Sequence, residues 1–335
     1  MPHLDIIIPT LNEEARLEGC LASIFSQRLP ANMEVKVSLV DAGSVDRTAI
    51  IAASAGVPVL DNSVLRDPEA AKMIGLRAAT GDFLLFMDAD MSLATPETLS
   101  RLLKPLLSNT ELVASFGRYE PRAGDVAINR ALSMNALQCD TFYQAFLPRP
   151  PSVSQVVEFS FDGIDIPPIA GTCMFRTAQV RASVPYVDRY FDVDTPVHLV
   201  RNGFRKFYYS NDAIFFHGHI SSLFELVRKR LRNLDNGRGN GLFSEQRVPR
   251  VYRWVALERY GLVRTLARAT GALTGFPLIP AAVAKMARYK DSAALLEPLL
   301  GVVVGWSILW GTLRSKKGRS WLAELVRPKE PFSVK

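Results

Sequence analysis

A doubly wound α/β fold with a mostly parallel sheet follows from three features of the first hundred residues. Short apolar runs alternate with stretches of helical periodicity. The helical stretches are about ten residues long, which suits crossovers between parallel strands and is too long for hairpins. Polar residues gather where the apolar runs end, at the carboxyl edge where such sheets hold ligands.

The run "LDIIIPT" reads as a buried strand stopped by Pro9. In "EEARLEGCLASIFSQ" Leu17, Leu21, Ile24 and Phe25 fall at helical spacing, with acids in the first turn where the helix dipole favours them. "EVKVSLVDAGS" is a second strand, "DRTAIIAASAG" a short helix closed by Gly56, and "VPVLDN" a third strand. "PEAAKMIGLRAATG" is a helix ended by Gly81, and "DFLLFMDAD" is the fourth strand. The residues at the strand ends are Thr10, Asn12 and Glu13, then Asp41, then Asp88 and Asp90. Asp88 and Asp90 could form an ordinary acidic turn, or could meet a hard cation or a sugar hydroxyl. Three such ends on one edge favour a site.

The 335-residue chain is 48% hydrophobic and 22% charged, which suffices for a core and excludes a disordered polymer. Cys20, Cys139 and Cys173 form no CxxC pair, which argues against a disulfide framework or a zinc knuckle and fits a reducing compartment. No basic stretch precedes the first strand, so no signal peptide is expected. The net charge of +7 is uneven: from Ser221 to Tyr260 nine bases stand against four acids. Such a segment suits nucleic acid, an anionic membrane or a phosphorylated substrate. With neither a recognition-helix motif nor an aromatic RNA-binding platform, nucleic acid is the weakest of the three.

A dinucleotide-binding fold would need G-x-G-x-x-G after the first strand, and "PTLNEEARLEG" is acidic there instead. A P-loop is also absent. Any bound diphosphate would then need a metal, for which Asp88-Ala89-Asp90 is the available element.

Five ordered stretches, "IIIPTLNEEARLEGCLASIFSQ", "VSLVDAGSVDRT", "AAKMIGLRAATGDFLLFMDAD", "IAGTCMFRTAQV" and "YVDRYFDVDTPVHLVRNGFRKFYYSNDAIFFHGH", span roughly residues 4 to 219. Together they resemble the GT-A fold, family 2 glycosyltransferases. The resemblance implies that Pro9, Thr10 and Glu13 line the nucleoside pocket and that Asp41 meets the base. Ala42 stands where a second aspartate is frequent. By the same resemblance Lys72 lies near the nucleotide, Asp88 meets the ribose or the metal shell, and Asp90 ligates Mg²⁺ or Mn²⁺. His217, with His219 as second choice, completes the metal shell or meets the diphosphate. Asp192 stands at the general-base position with Phe191 where Glu is common, and Asp194 resembles a helix N-cap. Arg228 and Arg232, in a basic helix with Leu226, Val227, Leu231 and Leu234 on its apolar side, would face the donor diphosphate. Gly237, Gly239 and Gly241 would hinge a closing loop.

Beyond residue 262 two 16-residue stretches, 269–284 and 298–313, carry no charge and are edged by lysine and arginine. A helix of that length covers about 24 Å, short of the ~30 Å hydrocarbon core. Helices lying in or re-entering from the cytoplasmic membrane face are therefore expected, anchored by Trp306, Trp310 and Trp321. A homo-oligomer interface or packing on the catalytic domain is the alternative use of these helices.

The expected organisation is a catalytic domain over 1–220 with a nucleotide-binding half (1–118) and an acceptor-side half (119–220). A basic helix and Gly-rich loop follow over 221–260, and apolar helices over 261–335. The expected activity is inverting, metal-dependent transfer from a UDP- or GDP-sugar to a lipid-linked or glycan acceptor. A catalytically inactive relative that binds nucleotide-sugar or acts as a scaffold is the alternative.

Overall fold

The structure, a computed structural model, describes residues 1–137, 151–160, 166–167, 169, 171–185, 187–218, 220–234 and 257–326. Cys139, His219, Gly237, Gly239 and Gly241 lie outside the described residues, as does the side chain of Trp321. The chain divides into two compact units, the first reaching Ser221 and the second running on from Ser222.

The first unit is built on a sheet whose strands lie in the order Val59–Asp61, Glu34–Asp41, His3–Thr10, Phe83–Phe86, Cys173–Arg176, Ala114–Tyr119, Lys206–His217 and Met91–Leu93, with Gln155–Glu158 also paired to Lys206–His217. Its first half comes from β1 (His3–Thr10), β2 (Glu34–Asp41), β3 (Val59–Asp61) and β4 (Phe83–Phe86), all parallel. The second half, from β5 (Met91–Leu93), β6 (Ala114–Tyr119), β7 (Gln155–Glu158), β8 (Cys173–Arg176) and β9 (Lys206–His217), is mixed. There β8 runs antiparallel to both β4 and β6, while β6 and β9 are parallel. Leu4, Ile6 and Ile8 on β1, like Ile7 between them, are buried, so both faces of this central strand are covered.

The helices follow from the sequence with instructive departures. α1 (Leu17–Phe25) buries Leu17, Leu21 and Ile24 but leaves Phe25 more than half exposed. α2 (Thr48–Ser54) ends ahead of Gly56, whose φ of +67° is left-handed. α3 (Pro68–Ala78) starts at Asp67, whose carboxylate accepts from the Ala70 N–H at 2.8 Å. It ends at Ala78, earlier than expected, and Gly81 is no helix cap. The Thr80 and Gly81 N–H groups donate to buried Asp5 at 2.7 and 2.6 Å. A methyl on Gly81 would lie 2.6 Å from the His3 carbonyl oxygen. Gly81 thus answers to a close approach of backbone to β1.

The fourth strand is shorter than "DFLLFMDAD". It closes at Phe86, and Asp88 and Asp90 occupy the connection to β5, which pairs antiparallel with β9 at the sheet's far edge. Pro9 stands one residue inside β1, opposite Val40, and the strand runs on to Thr10 opposite Asp41. The first unit also holds α4 (Thr98–Ser108), α5 (Ala127–Ser133), α6 (Thr177–Ser183) and α7 (Thr195–Arg201). Cys20 and Cys173 are free and buried, and burial pushes both thiols up, helped by Asp90 and Asp88 at Cys20 and by Asp192 at Cys173.

The second unit comprises α8 (Leu223–Leu234), α9 (Leu257–Thr274), α10 (Ile279–Tyr289), α11 (Glu297–Arg314) and α12 (Lys316–Val326). The uncharged stretch 269–284 is not one helix. It breaks at Gly275, where φ is +74° and a methyl would lie 2.6 Å from the Pro298 carbonyl oxygen, and Pro277 follows in a 3-10 turn. The second stretch lies within Ser292–Arg314, among the described residues the one helix long and apolar enough to cross a membrane. α11 packs against α8 closely: a methyl on Gly311 would come within 2.6 Å of Leu234 and 3.0 Å of Leu231. On the other side of α11 a ridge of Leu295, Leu299, Trp306, Trp310 and Leu313 is 48–61% exposed. At the foot of α11, Lys285 pairs with buried Glu297 at 2.6 Å. Burial pushes the Glu297 carboxyl up, opposed by that ammonium.

Two glycines test this packing from opposite sides. A methyl on Gly75 of α3 would sit 2.2 Å from Ile7 Cγ2 of β1, whereas nothing lies within 4 Å of one on Gly19 of α1. Gly75→Ala should destabilise the protein by about 1–3 kcal/mol through overpacking. Gly19→Ala should be neutral or stabilising by up to ~1 kcal/mol through helix propensity. Urea unfolding of the two variants measures both, and equal effects would contradict the close seating of α3 on β1.

Candidate functional site

The carboxyl edge of the parallel half gathers the polar residues singled out by the sequence. Asp41, at the end of β2, accepts four hydrogen bonds: from Thr10 Oγ1 at 2.9 Å, the Gly43 N–H at 3.0 Å, the Ser44 N–H at 2.8 Å and Ser44 Oγ at 2.6 Å. A carboxylate has about four lone-pair sites, so its own loop and Thr10 of β1 together occupy it fully. The neighbouring loop is tied in as well. The Asn12 N–H donates to Ser44 Oγ at 2.8 Å, and Asn12 Oδ1 accepts from the Val45 N–H at 2.9 Å. The Glu13 N–H donates to Thr48 Oγ1 at 2.8 Å, and the Glu13 carboxylate lies 3.7 Å from Arg16. Thr10, Asn12, Asp41 and Ser44 are therefore cross-linked into one rim, with Glu13 tied to Thr48 and Pro9 preceding Thr10 on β1. Ala42 adds only a backbone bond, its N–H donating to the Thr10 carbonyl at 2.9 Å.

Beside this rim, Lys72 of α3 is buried rather than solvated. Its Nζ lies 2.5 Å from Asp192 Oδ2 and 3.4 Å from Asp88 Oδ1. Burial pulls the ammonium down, but Asp192 and Asp88 more than reverse this, so it stays charged above the ordinary lysine range. Asp192 reaches Lys72 because its segment is fastened along α3. The Tyr190 N–H donates to the Glu69 carbonyl at 2.9 Å. Arg189 pairs with Asp67 at 3.1 Å, and the Arg77 guanidinium donates to the Val187 carbonyl. Tyr190 also packs on Phe86, ring centroids 4.5 Å apart. Phe191 is buried in the core. Asp194 does occupy the N-cap position of α7 but makes no side-chain cap bond.

The second group is Asp88, Asp90 and His217, whose ligand atoms all lie within 4.8 Å of one another. His217 Nε2 is 3.2 Å from Asp90 Oδ1. Backbone pairing brings them together: Met91 stands opposite His217, and the Gly218 N–H donates to the Asp90 carbonyl at 2.8 Å. Two partners of His217 escaped sequence reasoning. Tyr119 stacks on its ring at 5.4 Å, and Asn129 donates to its carbonyl at 2.8 Å while accepting from the Ile220 N–H. An aromatic at the end of β6 was the available signal for Tyr119, and nothing marked Asn129. Two carboxylates and an imidazole on one side of a cation suit Mn²⁺ or Mg²⁺, leaving room for ligand oxygens from a substrate. The donor set thus fits a hard divalent ion.

Lys72 thus links Asp192 to Asp88, which lies in one group with Asp90 and His217. Arg228 and Arg232 are exposed on α8, in the second unit.

Residues 5–179, half of the chain, match the model of glycosyl transferase family 2. An uncharacterized glycosyltransferase of Haemophilus influenzae is 32% identical over 124 residues, 36% of this chain and 48% of that protein. A PGL/p-HBAD biosynthesis glycosyltransferase of Mycobacterium bovis is 37% identical over 126 residues, 36% of this chain and 44% of that protein. The chain spans about half the length of the curated relatives it matches. Among solved structures, the mannosyltransferase PcManGT from Pyrobaculum calidifontis, in complex with GDP-Man and Mn²⁺, superposes with a TM-score of 0.52 at 16% identity. That superposition covers 92% of this chain and 87% of the other, and shows a shared GT-A fold. The chain belongs to glycosyl transferase family 2.

Proposed function

We propose that the protein is an inverting, metal-dependent glycosyltransferase that takes a sugar from a UDP- or GDP-linked donor to a lipid-linked or glycan acceptor at the cytoplasmic membrane face. The observation that carries this reading is the single chain of contacts from the Asp88–Asp90–His217 group through Lys72 to Asp192. It joins a site suited to a metal-bound diphosphate with a carboxylate suited to removing a proton.

In the reaction the acceptor hydroxyl oxygen bonds to the anomeric carbon as the bond from that carbon to the diphosphate breaks. Asp192 takes the hydroxyl proton, as a carboxylate within reach of an attacking oxygen does in general-base catalysis. Asp88, Asp90 and His217 would hold Mg²⁺ or Mn²⁺, which when bound supplies positive charge to the leaving diphosphate. The Lys72 ammonium, kept charged by its two carboxylates, adds to that stabilisation. The Thr10–Asp41–Ser44 rim shapes the nucleoside pocket. With its four bonds, Asp41 meets a base only if a Thr10 or Ser44 hydroxyl turns away. Arg228 and Arg232 are the proposed further bases toward the diphosphate.

Membrane association rests on α11. Crossing the bilayer would carry α8 with it, because the two helices pack at Gly311. Arg228, Lys229, Arg230 and Arg232 of α8 would then enter hydrocarbon at about 2.5–3.5 kcal/mol each. Lying along the interface costs none of this. The exposed ridge can sink among the lipids, with Trp306 and Trp310 at headgroup level. The Trp306 indole N–H meanwhile keeps its bond to the Leu273 carbonyl, at 3.2 Å.

Asp90→Ala should abolish transfer, as chelation by EDTA should, with an unchanged melting transition. Asp192→Asn should lower turnover by about 10²–10⁴-fold, assayed as nucleoside diphosphate release. Near wild-type activity in either variant would contradict the metal-ligand role of Asp90 or the base role of Asp192. For the membrane, replacing Trp306 and Trp310 together by Glu should move most of the protein from the pellet to the supernatant with anionic phospholipid vesicles. Unchanged pelleting would leave the ridge to a subunit contact.

A further inference from the structure

Lys72 is the sole described link between the carboxylate assigned to the acceptor and the group assigned to the donor, and its geometry is lopsided. Its Nζ is 2.5 Å from Asp192 and 3.4 Å from Asp88. An ammonium at the shorter distance opposes the arrival of a proton on Asp192, because protonation would cancel that attraction. Asp192 has little freedom to withdraw, since Arg189–Asp67, the Tyr190–Glu69 backbone bond and the Arg77–Val187 bond fasten its segment along α3. Lys72 has more freedom: its charge ends a flexible four-carbon stem with three rotatable donors.

We propose that Lys72 is a positioning residue that couples the two substrates: the diphosphate of the donor competes with Asp192 for its ammonium, so donor binding releases Asp192 to act as base. This rests on the reading of the site as one for a nucleoside diphosphate and adds to it a coupling between the donor site and Asp192. The consequence is reciprocal. Whatever holds Lys72 on Asp192 weakens the donor site, and occupancy of the donor site weakens the hold on Asp192. Proton removal is thereby confined to the complex in which a sugar is present to be transferred.

The test is calorimetric binding of GDP and of UDP, each with Mn²⁺, to the full-length protein. Asp192→Asn should tighten the nucleotide that binds by about tenfold, the scale of one charge-assisted hydrogen bond redirected to the ligand. Asp194→Asn, which removes an equal charge two residues away, should change it less than about twofold. In a Lys72→Met or Lys72→Gln background, Asp192→Asn should have no more effect than Asp194→Asn. Lack of tightening in Asp192→Asn, or the same tightening with and without Lys72, overturns the coupling. Failure of both nucleotides to bind the wild-type protein would instead overturn the nucleotide reading itself, so the two failures are distinguishable.

Discussion

The Lys72 ammonium sits inside the first unit between Asp88, on the connection after β4, and Asp192, more than a hundred residues later in the chain. Removing a charge from water costs several kcal/mol, and only close opposite charges offset it. Deleting one partner of such a buried pair typically costs ~3–5 kcal/mol, because the other is left uncompensated. The fold is arranged around meeting that requirement. Gly75 lets α3 press on β1 at Ile7, and Asp67 caps the helix while also receiving Arg189. The Tyr190–Glu69 bond then sets the register that brings Asp192 onto Lys72. An apolar replacement could satisfy the packing alone. The charged arrangement also ties Asp192, through Lys72, to the Asp88, Asp90 and His217 group.

The candidate metal group depends on a different part of the sheet. Asp88 and Asp90 lie where the chain leaves β4 and crosses to β5, and β5 exists only through its antiparallel pairing with β9. That pairing puts His217 beside Asp90, with Tyr119 and Asn129 fixing the imidazole and its backbone. Parallel strands thus present the Thr10–Asp41–Ser44 rim and the mixed half supplies the histidine. Lys72, on α3, links Asp88 of the β4–β5 connection to Asp192.

Much of this was legible in the sequence because β4, nearly all of β1 and the second half of β2 are buried and read as largely apolar runs. The polar residues at their ends stood out for the same reason. What escaped were contacts between residues far apart in sequence. A lysine on a helix is ordinarily solvated, and nothing local to Lys72 announces that Asp192 will cover it. Asp41 looked available for a ligand, since the Ser44 and Thr10 hydroxyls that occupy it are common turn residues. Gly81 looked like a helix cap because Gly usually is one, whereas backbone approach to β1 was the operative constraint. The break at Gly275 did leave a signal, the Gly-Phe-Pro sequence inside 269–284, which counting uncharged residues overlooked.

The central claim, that Asp88, Asp90 and His217 receive the metal of a nucleotide-sugar beside the Lys72–Asp192 pair, is tested most directly by anomalous diffraction. Crystals of the full-length protein grown with Mn²⁺ and GDP or UDP would be measured for the manganese signal. One strong peak is expected among the Asp88, Asp90 and His217 side chains, with the diphosphate on its open side and the nucleoside against the Thr10–Asp41–Ser44 rim. A nucleotide bound there with no manganese at those three residues, or manganese held elsewhere with that group empty, would contradict the claim.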